Sequence, residues 1–330
     1  MKKVSFIFLS LTLFPFLTYS APKKIKVGFI LSTMQEERYQ KDKAIFEETV
    51  KSLGAESVFA SCDNNEQIQA AKVENLLATG IQVLVIQPVN GDTAASFVEQ
   101  AHQDNVKVVA YDRLIKNTDL DFYTTQNSYQ VGVLQAQAAV KETKGEGNYM
   151  ILMGQAGHSV AQEITRGNLD VLKKYPKIKV VVQQSHAGWS PSEAMATTEN
   201  ALTKFKNKIS AILANNSGMA HGAIQALKEQ SLLGKVFVAG ADADLTAIRN
   251  IVSGAQQFEV LKAIKPLAEG AAKAAVKLAK GETPPFDQTI FNGKINVKVL
   301  NTPVYAITKK NIKTQIIDTG FHSEKDIYRK

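Results

Sequence analysis

The chain has little of what several protein classes require. Its 330 residues contain one cysteine, Cys62, so neither an internal disulfide nor a cysteine-based zinc site can be built. Proline, at 9 residues, and glycine, at 20, are too sparse for a collagen-like or low-complexity chain. Charge of one sign is not concentrated either: the formal net charge is +8, but lysine is spread along the whole chain. That distribution describes a solvated surface and not a nucleic-acid footprint, so no nucleic-acid partner is expected. Walker phosphate loops and Gly-x-Ser-x-Gly elbows are absent, and no two of the five histidines lie at zinc-ligand spacing. These absences point to no cofactor, no metal and no enzyme.

Long apolar runs are confined to one place. Met1-Lys2-Lys3 precedes an apolar stretch from Val4 to Leu17 and the small residues Thr18 and Ser20, the pattern of a signal peptide cut before Ala21. A membrane span needs about 20 apolar residues, and this run is shorter. No cysteine follows it to carry a lipid. The expectation is a soluble mature protein that is exported and released, its formal charge lowered from +8 to +6 by loss of Lys2 and Lys3.

From Lys24 onward, short Val/Ile-rich runs alternate with amphipathic stretches. Strands are expected at Ile25–Leu31, Ser57–Ser61, Gln82–Gln87 and Lys107–Tyr111, with helices over 35–53, 66–79 and 92–104. After Asp121–Thr125 a second series follows, with strands Tyr149–Met153, Lys179–Gln183, Ala211–Ala214 and Val236–Ala239. Its helices fall near 128–143, 159–174, 191–206, 217–230 and 243–253. A last helix over 263–280 leads to an irregular tail with an extended piece at Ile295–Leu300. Two consecutive strand–helix series predict an α/β protein of two doubly wound parallel-sheet lobes.

Ligands of such sheets bind at the carboxyl ends of the strands. The segments placed there hold Arg38-Tyr39, Asp112-Arg113, Trp189, Asn216, Asp242 and Lys262. Carboxylates and amides bridge neighbouring hydroxyls, an arginine fork donates from fixed directions, and an aromatic face covers C–H groups. That set suits a sugar, with Asp112 and Arg113 read as cleft groups outside the core. Gly154-Gln155-Ala156-Gly157 is read as a tight turn, and His102 and His322 as ordinary polar residues.

The stretches Glu37-Arg38-Tyr39-Gln40-Lys41-Asp42, Val83-Leu84-Val85-Ile86, Ala110-Tyr111-Asp112-Arg113, Gly222-Ala223-Ile224-Gln225-Ala226-Leu227, Asp242-Ala243-Asp244-Leu245 and Gly320-Phe321-His322 closely resemble the periplasmic sugar-binding proteins of ABC importers. The xylose-binding members are the most similar, and the resemblance runs from about residue 24 to 325. It implies a type I periplasmic binding protein, a monomer whose two lobes close on ligand about a three-segment hinge. The crossings would fall near 124–127, 258–263 and 300–304, with lobe 1 formed by 24–125 and 263–300 and lobe 2 by 126–262 and 301–330. It assigns pentose contacts to Arg38, Tyr39, Asp112, Arg113, Trp189, Asn216, Asp242 and Lys262, and an ABC permease as partner. A chemoreceptor or sensor-kinase ectodomain is a second class of partner for the same closed form. The sequence departs from xylose binders at Tyr39, usually tryptophan, and at Ser32-Thr33, usually acidic. Gly157-His158-Ser159-Val160 replaces an asparagine-bearing loop, and Ser217 replaces an aspartate.

Overall fold

A computed structural model describes residues 24–329. The signal peptide expected over 1–20 lies outside them. Among the described residues, no helix is long and apolar enough to cross a membrane.

The chain begins with β1 (Lys26–Leu31), α1 (Glu37–Ser52), β2 (Glu56–Ser61), α2 (Glu66–Ala78), β3 (Val83–Ile86), α3 (Ala95–Gln103), β4 (Lys107–Tyr111) and β5 (Phe122–Gln126). It continues through α4 (Ser128–Glu142), β6 (Gly147–Met153), α5 (Ser159–Leu172), β7 (Ile178–Ser185), α6 (Pro191–Lys204), β8 (Ala211–Ala214), α7 (Ser217–Glu229), β9 (Phe237–Ala241), α8 (Leu245–Ser253) and β10 (Phe258–Lys262). The last elements are α9 (Ile264–Ala279), β11 (Gln288–Phe291), β12 (Asn296–Thr302), β13 (Val304–Ile307) and the short α10 (Glu324–Tyr328).

These strands form two sheets, one ordered β11-β12-β5-β4-β3-β1-β2 and the other β13-β10-β9-β8-β6-β7. The chain passes between them three times: after Gln126, after Lys262 and after Thr302. Each sheet is parallel except at one edge, where β11 pairs antiparallel with β12 and β13 antiparallel with β10. The tail read as mostly irregular therefore completes both sheets. Its strands alternate polar and apolar residues at exposed edges, a weaker signal than the all-apolar central strands.

In the first sheet, Val27, Phe29 and Leu31 of β1 face one core with Phe46 of α1 and Leu267 and Ala271 of α9. Ile30, between them, faces the other core with Val73, Phe97 and Val98 of α2 and α3. This alternation requires helices on both faces of the sheet. Besides a smaller cluster where Leu261 of β10 and Ile307 of β13 meet Ile248 of α8 and Ile327 of α10, the second sheet buries a large one under α4 to α7. There α4 and α5 touch through Gly132, where an added Cβ would lie 1.9 Å from the Ile164 carbonyl oxygen. The parallel strands of each sheet run the same way, so their carboxyl ends share one edge.

Candidate ligand-binding site

Each sequence-predicted residue sits just beyond or at the end of a parallel strand. Arg38 and Tyr39 occupy the first turn of α1, behind β1. Asp112 and Arg113 follow β4, Asp242 follows β9, and Lys262 ends β10. Asn216 caps α7, its side-chain oxygen accepting from the Met219 N–H at 2.8 Å. Trp189 ends a single 3-10 turn held against α6 by the Ser190 cap. The fold brings all eight together: with Glu36 and Val160 they line one cavity of about 10 Å³ between the two sheets. That is about the room one water needs, so the side chains of the two lobes nearly fill the space between them. Larger hollows lie elsewhere, but they are open at the surface and hold no comparable set of charges.

Three of these residues adopt left-handed backbone: Asp112 at φ 65°, Trp189 at 60° and Asp242 at 105°. Such conformations cost about 1–3 kcal/mol each unless the surroundings over-determine them. Here they are tied down. Asp112 N–H donates to the Thr124 carbonyl at 2.7 Å and Asp242 N–H to that of Val260 at 2.9 Å.

Arg38 is the electrostatic centre. Its guanidinium faces Asp42 at 3.4 Å, Asp242 at 3.4 Å and Asp112 at 3.7 Å, and its Nη2 has no hydrogen-bond partner among the described residues. Burial works against its charge, but Asp112 and Asp42 outweigh that and raise its pKa. Lys262 Nζ lies 2.9 Å from the same Asp242 oxygen. Asp112 accepts from Gln87 Nε2 at 2.9 Å and also from Gln126 Nε2. Burial pushes its carboxyl up, yet Arg38 and Arg113 prevail and hold it below the usual range. Tyr39 is tethered through its hydroxyl, which accepts from Gln87 at 3.0 Å and Arg113 at 3.4 Å.

Asp112 and Arg113 are each only 3% exposed. They are buried groups, and the expectation of open cleft residues is corrected. The cause is contact between the lobes. The Leu245 N–H at the start of α8 donates to Glu37 Oε2 at 3.0 Å, Lys41 Nζ donates to the Phe321 carbonyl at 3.0 Å, and His158 Nε2–H donates to the Val89 carbonyl. His322, expected to be ordinary, is buried and donates to the Ala243 carbonyl at 2.8 Å, 3.6 Å from Glu37.

Sequence reasoning missed several residues. Glu36 has no distinctive neighbour pattern although it lies in a strand-end segment, and Val160 entered only as part of the departing stretch 157–160, with no contact assigned to it. Gln87, Gln126 and His158 act on cavity residues and not on the cavity itself. The departures also resolve into contacts. Ser32 Oγ donates to Gln87 Oε1 at 2.7 Å, so it orients the glutamine that holds Asp112. Ser217 lies 3.2 Å from Glu259 Oε2, which puts a carboxylate from β10 beside the position of the absent aspartate. Burial raises the Glu259 pKa to about 8. Gly154, in the turn read from sequence, packs beneath the Trp189 ring. Among the described residues no cluster of three or more His, Cys, Asp or Glu could hold a metal.

Residues 27–283 match the family model described as periplasmic binding protein domain. The chain is 42% identical to the D-xylose-binding periplasmic protein of Escherichia coli, over 92% of this chain and 93% of that one. It is 40% identical to the protein of the same description from Haemophilus influenzae, over 93% of each. A solved ABC transporter solute-binding protein from Clostridium phytofermentans, with bound β-D-glucose, superposes with a TM-score of 0.86 at 27% identity, covering 92% of this chain and 99% of that one. With its two α/β lobes and three crossings, this chain belongs to the periplasmic binding protein family and has the type I fold.

Proposed function

We propose that the protein captures a monosaccharide, a pentose such as D-xylose, between its two lobes and delivers it to an ABC permease from the periplasm. The observation that carries this reading is the single cavity lined by all eight strand-end residues, with matched cations and carboxylates around one indole. Arg38, Asp112 and Arg113 receive the sugar on the first lobe, where hydroxyls meet acceptors and donors already fixed by protein partners. Trp189, Asn216, Asp242 and Lys262 complete the cage on closure, and the segments after Gln126, Lys262 and Thr302 serve as the hinge. Contacts such as Glu37 with Leu245 exist only when the lobes meet, so ligand that bridges them shifts the population toward the closed form. That form is what a permease would recognise. The relatives named for D-xylose binding support the choice of sugar.

The test is isothermal titration of the mature chain, unfolded and refolded to remove co-purified ligand, against pentoses, hexoses and polyols. A dissociation constant near micromolar, about −8 kcal/mol, is expected for a pentose. Tight binding of a different sugar alone would reassign the ligand. The absence of heat with every member would sink the sugar reading.

A further inference from the structure

Glu36 stands immediately before α1 and lines the ligand cavity. It differs from every other acidic group there. Asp112 and Asp242 are held by protein cations and amides. The Glu36 side chain makes no capping bond to α1, and among the described residues nothing hydrogen-bonds its carboxylate. The charge count around the cavity gives this carboxylate a role. Arg38, Arg113 and Lys262 supply three positive charges, and Asp112, Asp242 and Asp42, which lies behind Arg38, three negative ones. An ionised Glu36 adds a negative charge beyond that balance. Without it, an anionic ligand would meet no net repulsion from the wall.

We propose that Glu36 is a specificity-determining ligand contact that accepts a hydrogen bond from a hydroxyl of a neutral sugar and excludes sugar acids of the same size. This inference rests on the sugar-binding reading above and deepens it. A neutral hydroxyl gives the free carboxylate the partner that the protein withholds. A uronic or aldonic acid would instead bring a second carboxylate against it in a confined space.

The groups facing Glu36 are Arg38 and Tyr39 on α1, Arg113 behind β4, Asp242 and Asp244 behind β9, and Lys262 on β10. Burial and Asp242 push the Glu36 pKa up to about 7, against the pull of the three cations. Protonation should therefore neutralise the exclusion in mildly acidic solution, while a sugar acid, with a carboxyl pKa near that of about 3.3–3.7 for an α-carboxyl, stays ionised.

The experiment is titration of the wild type and Glu36→Gln with D-xylose and with D-glucuronate, at pH 8 and pH 5.5, alongside thermal melts of both ligand-free proteins. Glu36→Gln should melt no lower than the wild type, and higher at pH 8, because the side chain has no protein partner to lose and the buried charge with its raised pKa is removed. It should bind the neutral sugar at least tenfold more weakly at pH 8, gain measurable glucuronate binding, and show the same discrimination at both pH values. The wild type should approach the variant's behaviour at pH 5.5. Unchanged affinity for the neutral sugar in Glu36→Gln overturns the contact, and no gain with glucuronate overturns the exclusion. If the wild type binds no neutral sugar of the wider panel, the sugar reading itself fails and takes this inference with it.

Discussion

The indole Nε1–H of Trp189 donates to Nδ1 of His158 at 3.0 Å, and Nε2–H of the same imidazole donates to the Val89 carbonyl in the opposite lobe. The tautomer is fixed by that pair: Nδ1 accepts and Nε2 carries the proton. Burial, reinforced by Arg113, lowers the imidazole pKa to about 3, so the ring is neutral wherever the protein is folded. One side chain thus sets the angle of the aromatic wall and ties it to closure.

His158→Ala should weaken ligand binding by about tenfold, roughly 1.4 kcal/mol, within the range for one or two neutral hydrogen bonds. The loss should appear as faster ligand release in stopped-flow measurements, because the Val89 contact exists only in the closed state. Affinity unchanged in the variant would show that the relay does not support closure.

Gly154→Ala tests the same wall from beneath. A Cβ there would lie 2.4–2.5 Å from three atoms of the Trp189 ring, and the left-handed backbone of Trp189 leaves the ring little freedom to yield. The ring should be displaced, with a shift in its fluorescence and at least a tenfold loss of affinity. Trp189 is the chain's one tryptophan, so the emission reports on this wall alone.

Asp112→Ala should abolish binding and also lower the melting temperature. Removing one partner of a buried ion pair typically costs about 3–5 kcal/mol, because the other charge is left uncompensated. Here Arg38 would lose one of its three carboxylates. Asp112→Asn keeps the shape and should separate the two effects, losing affinity with a smaller drop in melting temperature. The ionised Asp112 has a depressed pKa, so its contribution is present above the unfolded value of about 3.9 and is lost as pH falls through the folded value.

Much of this was legible in the sequence, for identifiable reasons. The central strands β1, β3, β4, β6 and β8 are apolar on both faces, and the helices between them carry a periodic buried stripe, so their positions follow from composition alone. Seven of the eight site residues follow from the rule that doubly wound sheets bind ligand at their carboxyl edges, while Lys262 ends β10, a strand the pattern did not announce. The edge strand β13 was not legible because it is only partly buried and pairs with the distant β10, and β11 because it is mostly exposed, although it pairs with β12 directly after it. Nor were the partners of the site. Gln87, Gln126 and His158 act through hydrogen bonds to residues 14 to 69 positions away, and the left-handed backbone at Asp112 and Trp189 has no glycine to announce it. The burial of Asp112 comes from two lobes meeting, which is a property of neither lobe's sequence.

Glu259 offers a measurement on the second lobe. Its carboxyl is fully buried on β10, where Gln256 Nε2 donates to it at 2.7 Å and the Ala243 N–H at 3.2 Å. The Ser217 hydroxyl also reaches the Ala241 carbonyl at 2.9 Å, so a protonated Glu259 can donate to Ser217 while Ser217 donates onward. Burial drives the pKa from 4.5 to about 8. The folded chain then holds a proton that the unfolded chain releases above about pH 4.5, which means folding takes up a proton and stability falls as pH rises toward 8. Above pH 8 both states are ionised and the penalty is complete. The depressed His158, His221 and His322 act in the opposite direction, but only below the unfolded imidazole value of about 6.5. Between pH 6.5 and 8 the melting temperature of the ligand-free protein should therefore decline and then level off. Glu259→Gln, which cannot ionise, should show a shallower decline over that interval. An identical slope in the variant would mean that Glu259 is already ionised in the folded protein, and that Ser217 faces a carboxylate rather than a carboxylic acid.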